Sequence, residues 1–90
     1  MTKDDLLRTI RQENCMWPPE AQSDVLDALR VLTQDVEMDE RLQEAMRGIQ
    51  QEDLPLWGLS LTWLDFVDAA ADVVGVEAAR DLVAAHACKV

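Results

Sequence analysis

Apolar residues recur every three or four positions along most of this chain, the spacing that places them on one face of an α-helix. Prolines and glycines interrupt the pattern at Pro18–Pro19, at Pro55 and Gly58, and at Gly75. No stretch alternates between apolar and polar residues as a half-buried strand does. The sequence therefore predicts an all-α fold, a compact single-domain bundle of four to five short helices over residues 1–90.

Residues that begin helices set the expected helix limits. Thr2 and Asp5 have the spacing of a capping box, and Thr62 and Asp65 repeat it. Pro19 suits the first turn of a helix, because the N–H that proline lacks has no partner there. The predicted helices cover about residues 3–14, 19–34, 38–50, 63–74 and 77–87.

The second and third helices are predicted to be separate. At about 100° per residue, their apolar faces point in directions roughly 110–120° apart. A straight helix cannot turn its buried face so abruptly. We therefore expect a break near residues 34–39, with Asp35 or Asp39 capping the third helix.

Charge limits the classes of partner. The chain has 18 acidic and 8 basic residues, a net charge of −10. Such a field repels nucleic acid and anionic lipid and attracts basic proteins. Residues Ala71 to Val76 match the turn of a DNA-binding helix-turn-helix, but the next helix offers Glu77 and Asp81 beside Arg80. We expect no direct nucleic-acid contact and no membrane contact.

Compartment and chemistry follow from a few residue types. The first residues lack the basic and apolar regions of a signal peptide, and two cysteines make no disulfide framework, so a cytoplasmic protein is expected. One histidine, no tyrosine and no glycine-rich phosphate loop argue against an enzyme. Neither a metal nor a cofactor is expected. Cys15 is predicted to be buried, and His86 and Cys88 to lie in a frayed C-terminal turn.

Three aspartates form a predicted acidic ridge. Asp65, Asp68 and Asp72 are spaced i, i+3 and i+7, so they share the helix face opposite the core. From Gly48 to Ala79 the chain has no Lys or Arg to offset their repulsion. The ridge is either a solvated helix face or a docking surface for Lys and Arg.

An apolar loop precedes the ridge, and it also permits two interpretations. The segment 54–61 reads Leu-Pro-Leu-Trp-Gly-Leu-Ser-Leu and follows Glu52 and Asp53. It can fold onto the core as a lid, or remain exposed and anchor a partner through Trp57.

Together these features predict a small, acidic, non-enzymatic protein–protein interaction module that binds a basic partner surface. Small bacterial or phage inhibitors, immunity proteins, antitoxins and nucleic-acid mimics share this size and charge, and the expected role is that of an inhibitor, an immunity-type protein or an adaptor. The alternative is a self-associating assembly subunit, such as a homodimer joined through the apolar loop. The residues expected to contact the partner are Asp65, Asp68, Asp72, Glu52, Asp53, Trp57, Leu56 and Leu59.

A second alternative comes from a short motif. Gly58-Leu59-Ser60-Leu61 resembles the Gly-x-Asp-Ser-Leu attachment site of acyl and peptidyl carrier proteins, which are small acidic helical bundles. The aspartate before the serine is absent here. The resemblance implies a carrier whose phosphopantetheine is attached to Ser60.

Overall fold

The computed structural model describes residues 1–89, with side chains to residue 87. It is a helical bundle, so the predicted fold class is confirmed. The described chain also contains three short strands. The helices are α1 (Lys3–Gln12), α2 (Pro19–Leu32), α3 (Glu40–Gln50), α4 (Leu61–Val74) and α5 (Val76–His86), and the strands are β1 (Cys15–Trp17), β2 (Leu56–Trp57) and β3 (Cys88–Lys89).

Several predicted helix ends are confirmed. The Thr2 hydroxyl accepts a hydrogen bond from the Asp5 N–H at 3.2 Å, and the Asp5 carboxylate accepts one from the Thr2 N–H at 3.1 Å. The Asp39 carboxylate accepts from the Leu42 N–H at 2.8 Å, which confirms the break before α3. Gly75, with φ of 93°, separates α4 from α5 as predicted.

Other limits were wrong by one or two residues. The first helix was predicted to reach residue 14, but Asn14 has φ of 51°, which turns the chain out of α1 and into β1. The start of α4 was assigned to Thr62 and Asp65. Ser60 is the capping residue instead, because its extended backbone lets its hydroxyl accept from the Trp63 N–H at 3.4 Å.

The small sheet was not predicted. Strand β1 pairs antiparallel with both β2 and β3, in the order β2-β1-β3. Trp17 lies opposite Leu56, and Met16 opposite both Trp57 and Cys88. The frayed turn expected at Cys88 is therefore wrong for its backbone, which is paired with β1. Strands of two and three residues are too short to show alternation in sequence.

An aromatic cluster lies at the centre of the core. The ring centroids of Trp17 and Trp63 are 4.1 Å apart with their planes at 79°, and Phe66 lies 5.2 Å from Trp17. Edge-to-face contacts of this kind are favourable beyond the area they bury. Two of the three rings belong to α4, which packs against α1, α3 and α5.

A buried glutamine joins α2 to the end of α3. With its side-chain amide oriented to satisfy its neighbours, Gln22 donates to the carbonyls of Ile49 at 3.0 Å and Glu52 at 3.3 Å. Ile49 is in the last turn of α3, where its carbonyl also accepts the Glu52 N–H at 3.2 Å, and Glu52 lies just beyond the helix. The first turns of α2 therefore lie beside the last turn of α3.

The loop before α4 presses onto the backbone of α1. Gly58 is buried, and a Cβ atom at this position would lie 2.6 Å from the Ile10 carbonyl oxygen. Real Cβ atoms do not approach a backbone oxygen so closely, and this oxygen belongs to a helix that cannot easily move. Glycine is therefore required here by the close approach of two chain segments.

Replacement of Gly58 by alanine should destabilise the fold by about 1–3 kcal/mol through this clash. Urea denaturation followed by tryptophan fluorescence measures the effect. Gly48→Ala is the matched control. Gly48 lies within α3, and a Cβ atom there would be 3.7 Å from Thr62 Cγ2, an ordinary van der Waals distance. That variant should gain about 0.5–1 kcal/mol from helix propensity. Equal stability of the two variants would contradict the packing described for Gly58.

Candidate partner-binding site

The apolar loop divides into inward and outward residues. Leu56, one of the predicted contact residues, is 3% exposed and pairs with Trp17 in the sheet, so its side chain lies in the core. Successive residues of a strand point to opposite sides, which turns the next residue, Trp57, outward. The segment is therefore partly a lid on the core.

Four other residues of this segment are exposed apolar side chains, and we call them the apolar patch. Leu54 is 73% exposed, Leu59 71% and Leu61 83%, and Trp57 is 41% exposed. The Ser60 N–H donates to the Trp57 carbonyl at 2.7 Å, and this tight turn fixes the position of Trp57 relative to the start of α4. Trp57 and Leu59 were predicted as contact residues, whereas Leu54 and Leu61 were not.

A groove between α3 and α4 begins at the same place. It has a volume of about 600 Å³, and Leu61 belongs both to its lining and to the apolar patch. Ala45 and Gly48 contribute little side-chain bulk from α3, which keeps the groove open. Its lining consists of Arg41, Glu44, Ala45, Gly48, Leu61, Thr62 and Asp65.

The predicted acidic ridge is partly neutralised within the chain, where two bases face its three carboxylates. Lys3 Nζ lies 2.9 Å from Asp68 and 2.8 Å from Asp72. The Arg41 guanidinium lies 3.0 Å from Asp72 and 3.5 Å from Asp65, and also pairs with Asp68. The expectation that no base offsets these aspartates is therefore wrong, because α1 and α3 bring in bases that are distant in sequence.

Asp68 is at the centre of this network, and its pKa reflects that position. Desolvation between α1 and α3 raises the pKa, but hydrogen bonds from Lys3 and Arg41 together outweigh it and hold the pKa below its ordinary value. Hydrogen bonds to Asp72 and Asp68 raise the pKa of the Lys3 ammonium. The three helices α1, α4 and α3 are thus joined by charge as well as by packing.

The acidic side chains around the patch have fewer bonding partners than those of the ridge. Among the residues that the structure describes, Glu44, Glu52 and Asp53 form no ion pair. The Glu52 carboxylate accepts one hydrogen bond, from the Thr62 hydroxyl at 3.2 Å. The surface around the patch therefore combines exposed apolar side chains with acidic groups able to receive a cation.

The groove was missed in the sequence because it is made by two helices that meet only in the fold. Glu44 and Gly48 lie on one face of α3, four residues apart, but nothing in that spacing says that α4 leaves this face partly uncovered. Leu54 and Leu61 carried a usable signal, since they flank the same loop as Trp57 and continue its apolar run.

Other kinds of site have little support in the described part of the chain. No group of three His, Cys, Asp or Glu side chains there is arranged to hold a metal ion. None of the described helices has both the length and the apolar character needed to cross a membrane. Cys15 is buried, as predicted, and His86 is half-buried at the end of α5.

Comparison of the chain with protein-family models, curated proteins and solved structures found no match. The physical character of the surface is therefore the basis on which a function can be inferred.

Replacement of Arg41 by methionine should lower the free energy of unfolding by about 1 kcal/mol at pH 7, since the three carboxylates it contacts are partly exposed and partly screened. Because the Asp68 pKa is lowered in the fold, its contribution is present above about pH 4, the unfolded value. That contribution disappears as pH falls through the lower folded value. In urea unfolding, the difference between the variant and the parent protein should therefore be smaller near pH 2 than at pH 7.

Arg47→Met is the control for this prediction. Arg47 is exposed on the same helix and has no ion pair among the described residues. Its replacement should change stability by less than about 0.5 kcal/mol at either pH. Equal losses for the two arginine variants at pH 7 would show that the ridge network contributes nothing specific.

Proposed function

We propose that this protein is a cytoplasmic, non-enzymatic interaction module, acting as an inhibitor, immunity-type or adaptor protein of the kind made by bacteria or phages. It binds a basic, partly apolar surface of a partner protein through the apolar patch and the adjoining α3–α4 groove. The supporting observation is the exposure of three leucines by more than 70% beside a half-exposed tryptophan.

Burial energetics favour a partner for this patch. Single exposed apolar residues are common on protein surfaces, but Leu54, Trp57, Leu59 and Leu61 lie within eight residues of one another. Clustered apolar side chains rimmed by polar groups are typical of interaction sites. Tryptophan is also enriched among residues that dominate binding energy, because it brings a large area with little loss of side-chain entropy.

Charge favours a basic partner. Glu52 and Asp53 precede the patch, and Glu44 lines the groove, where Asp65 is paired with Arg41. These carboxylates would speed the encounter with a basic surface and select against acidic ones. Asp68 and Asp72 are engaged by Lys3 and Arg41, so the predicted docking role of the ridge has less support than the patch.

Self-association is the second candidate, since a second copy could also cover the patch. A two-fold interface made by the patch would place the Glu52 and Asp53 of both copies in or beside the same interface. In a chain with a net charge of −10, this arrangement is opposed by repulsion. Sedimentation equilibrium should give a monomer at all concentrations, and a stable dimer dissociated by Leu59→Ser would favour the assembly role instead.

The carrier alternative has one supporting observation, the position of Ser60 at the start of α4. Its hydroxyl accepts from the Trp63 N–H, as a helix cap does. Mass spectrometry of the intact protein purified from its own cells tests this alternative. A mass that shows no attached phosphopantetheine would exclude it.

Site-specific crosslinking tests the binding site directly. A photo-crosslinking amino acid at Leu61 should capture one basic protein in a nuclease-treated lysate, with a lower yield at about 0.5 M than at about 0.05 M salt. The same amino acid at Asp24, an exposed position on α2, should not capture it. Equal capture from both positions would mean that general attraction, and not the patch, brings the proteins together.

Binding measurements with the captured partner should separate the contribution of the apolar patch from that of the acidic residues. Leu61→Ser and Trp57→Ala should each weaken affinity about tenfold or more, chiefly through faster dissociation. Glu52→Gln with Asp53→Asn should instead slow association and reduce its salt dependence. Asp24→Asn is the matched charge control. Unchanged affinity in both patch variants would refute the proposed site.

A further inference from the structure

A second apolar surface lies at the end of α2. Val31 is 69% exposed, Leu32 47% and Val36 49%. The Val36 N–H donates to the Thr33 carbonyl at 3.0 Å, which folds the following turn back beside the end of the helix. Val31 and Leu32 thus end the helix, and Val36 lies in the turn that follows it.

A hollow between α2 and α5 continues this surface. It has a volume of about 230 Å³ and is lined by Leu32, Ala78, Asp81, Leu82 and Ala85. Ala78, Leu82 and Ala85 are spaced i, i+4 and i+7, so they lie along one side of α5. The two alanines leave room for a side chain from outside, and Leu82 provides an apolar floor. We call this hollow, together with Val31 and Val36, the α2–α5 surface.

Three acidic residues adjoin the residues of the α2–α5 surface. Asp35 and Glu37 flank Val36 in sequence, are exposed, and have no ion pair among the described residues. Asp81 lines the hollow, and its one ion pair in that part of the chain is with the adjacent Arg80 at 3.5 Å. A basic segment is therefore complementary to this surface, whereas a second copy would place like charges together.

The α2–α5 surface is well separated from the apolar patch. The turn that carries Val36 precedes α3, and the loop that carries the patch follows it. Helix α3 has 11 residues, a length of about 16 Å at 1.5 Å per residue. The two surfaces therefore lie at opposite ends of this helix and do not share residues.

We propose that the α2–α5 surface is a second docking site, which takes a basic segment of a partner protein carrying an apolar side chain next to Lys or Arg. The apolar side chain enters the hollow against Leu82, and the basic groups meet Asp35, Glu37 and Asp81. With both surfaces occupied, one copy of this small protein joins two basic segments. This inference uses different residues from the proposed function and stands or falls separately.

Two synthetic peptides of about 18 residues, five helical turns, test the proposal. One has leucines along a single helical face and lysines elsewhere, and the other replaces every leucine by serine at the same charge. Amide signals of the ¹⁵N-labelled protein are followed as each peptide is added. The Leu/Lys peptide should shift the signals of Val31, Leu32, Val36, Ala78 and Ala85 saturably, and the Ser/Lys peptide should bind there at least tenfold more weakly.

Variants decide which site responds. The double variant Leu32→Ser with Val36→Ser changes exposed residues only, so the fold should remain. It should weaken binding of the Leu/Lys peptide at the α2–α5 surface about tenfold. Leu61→Ser should leave that binding unchanged. Equal shifts from both peptides would overturn the proposal. Shifts confined to the signals of Leu59 and Leu61 would also overturn it, although they would still support the proposed function. Concentration-dependent broadening of the α2–α5 signals without peptide would also overturn it, by identifying a second copy as the occupant.

Discussion

The burial of α4 on most of its sides is the constraint on which the remainder of the structure depends. Seven of its fourteen residues are buried, and they include two of the three rings of the aromatic cluster. Such a helix needs neighbours on several sides, and α1, α3 and α5 provide them. Asp65, Asp68 and Asp72 are its charged residues, and two flanking helices bring bases to them.

This arrangement determines what is left for the surface. The helix that carries the predicted acidic ridge has most of its negative charge offset within the chain by Lys3 and Arg41. The loop that enters α4 must press Leu56 and Gly58 inward to close the core. A small domain has too much surface to cover every apolar side chain of such a loop. Leu54, Leu59 and Leu61 therefore remain outside, beside unoccupied acidic groups.

The local features could be predicted from the sequence, because their causes lie within a few residues. The helices follow from apolar periodicity, the capping box from Thr2 and Asp5, and the break before α3 from Asp39. Gly75 ends α4 for an equally local reason, the need for positive φ. These features require no knowledge of the tertiary fold.

Features made by distant segments could not be predicted. Lys3 reaches Asp72 from 69 residues away, and no pattern within α4 reveals that contact. The alternation that buries Leu56 and exposes Trp57 depends on pairing with β1, whose three residues show no strand periodicity. The α3–α4 groove likewise exists only because of how two helices cross. The sequence thus pointed to the loop that carries the proposed site, but it did not name Leu54 and Leu61, and it named Leu56, which lies in the core.

The most direct test of this account is a pH titration of the Asp68 carboxyl carbon by ¹³C NMR. The account predicts a pKa below the ordinary aspartate value of about 3.9, and a rise of that pKa when Lys3 and Arg41 are both replaced by methionine. An ordinary pKa that does not respond to the double replacement would contradict it. In that case the ridge would be solvated and available to a partner, and the apolar patch would lose its distinction as the binding surface.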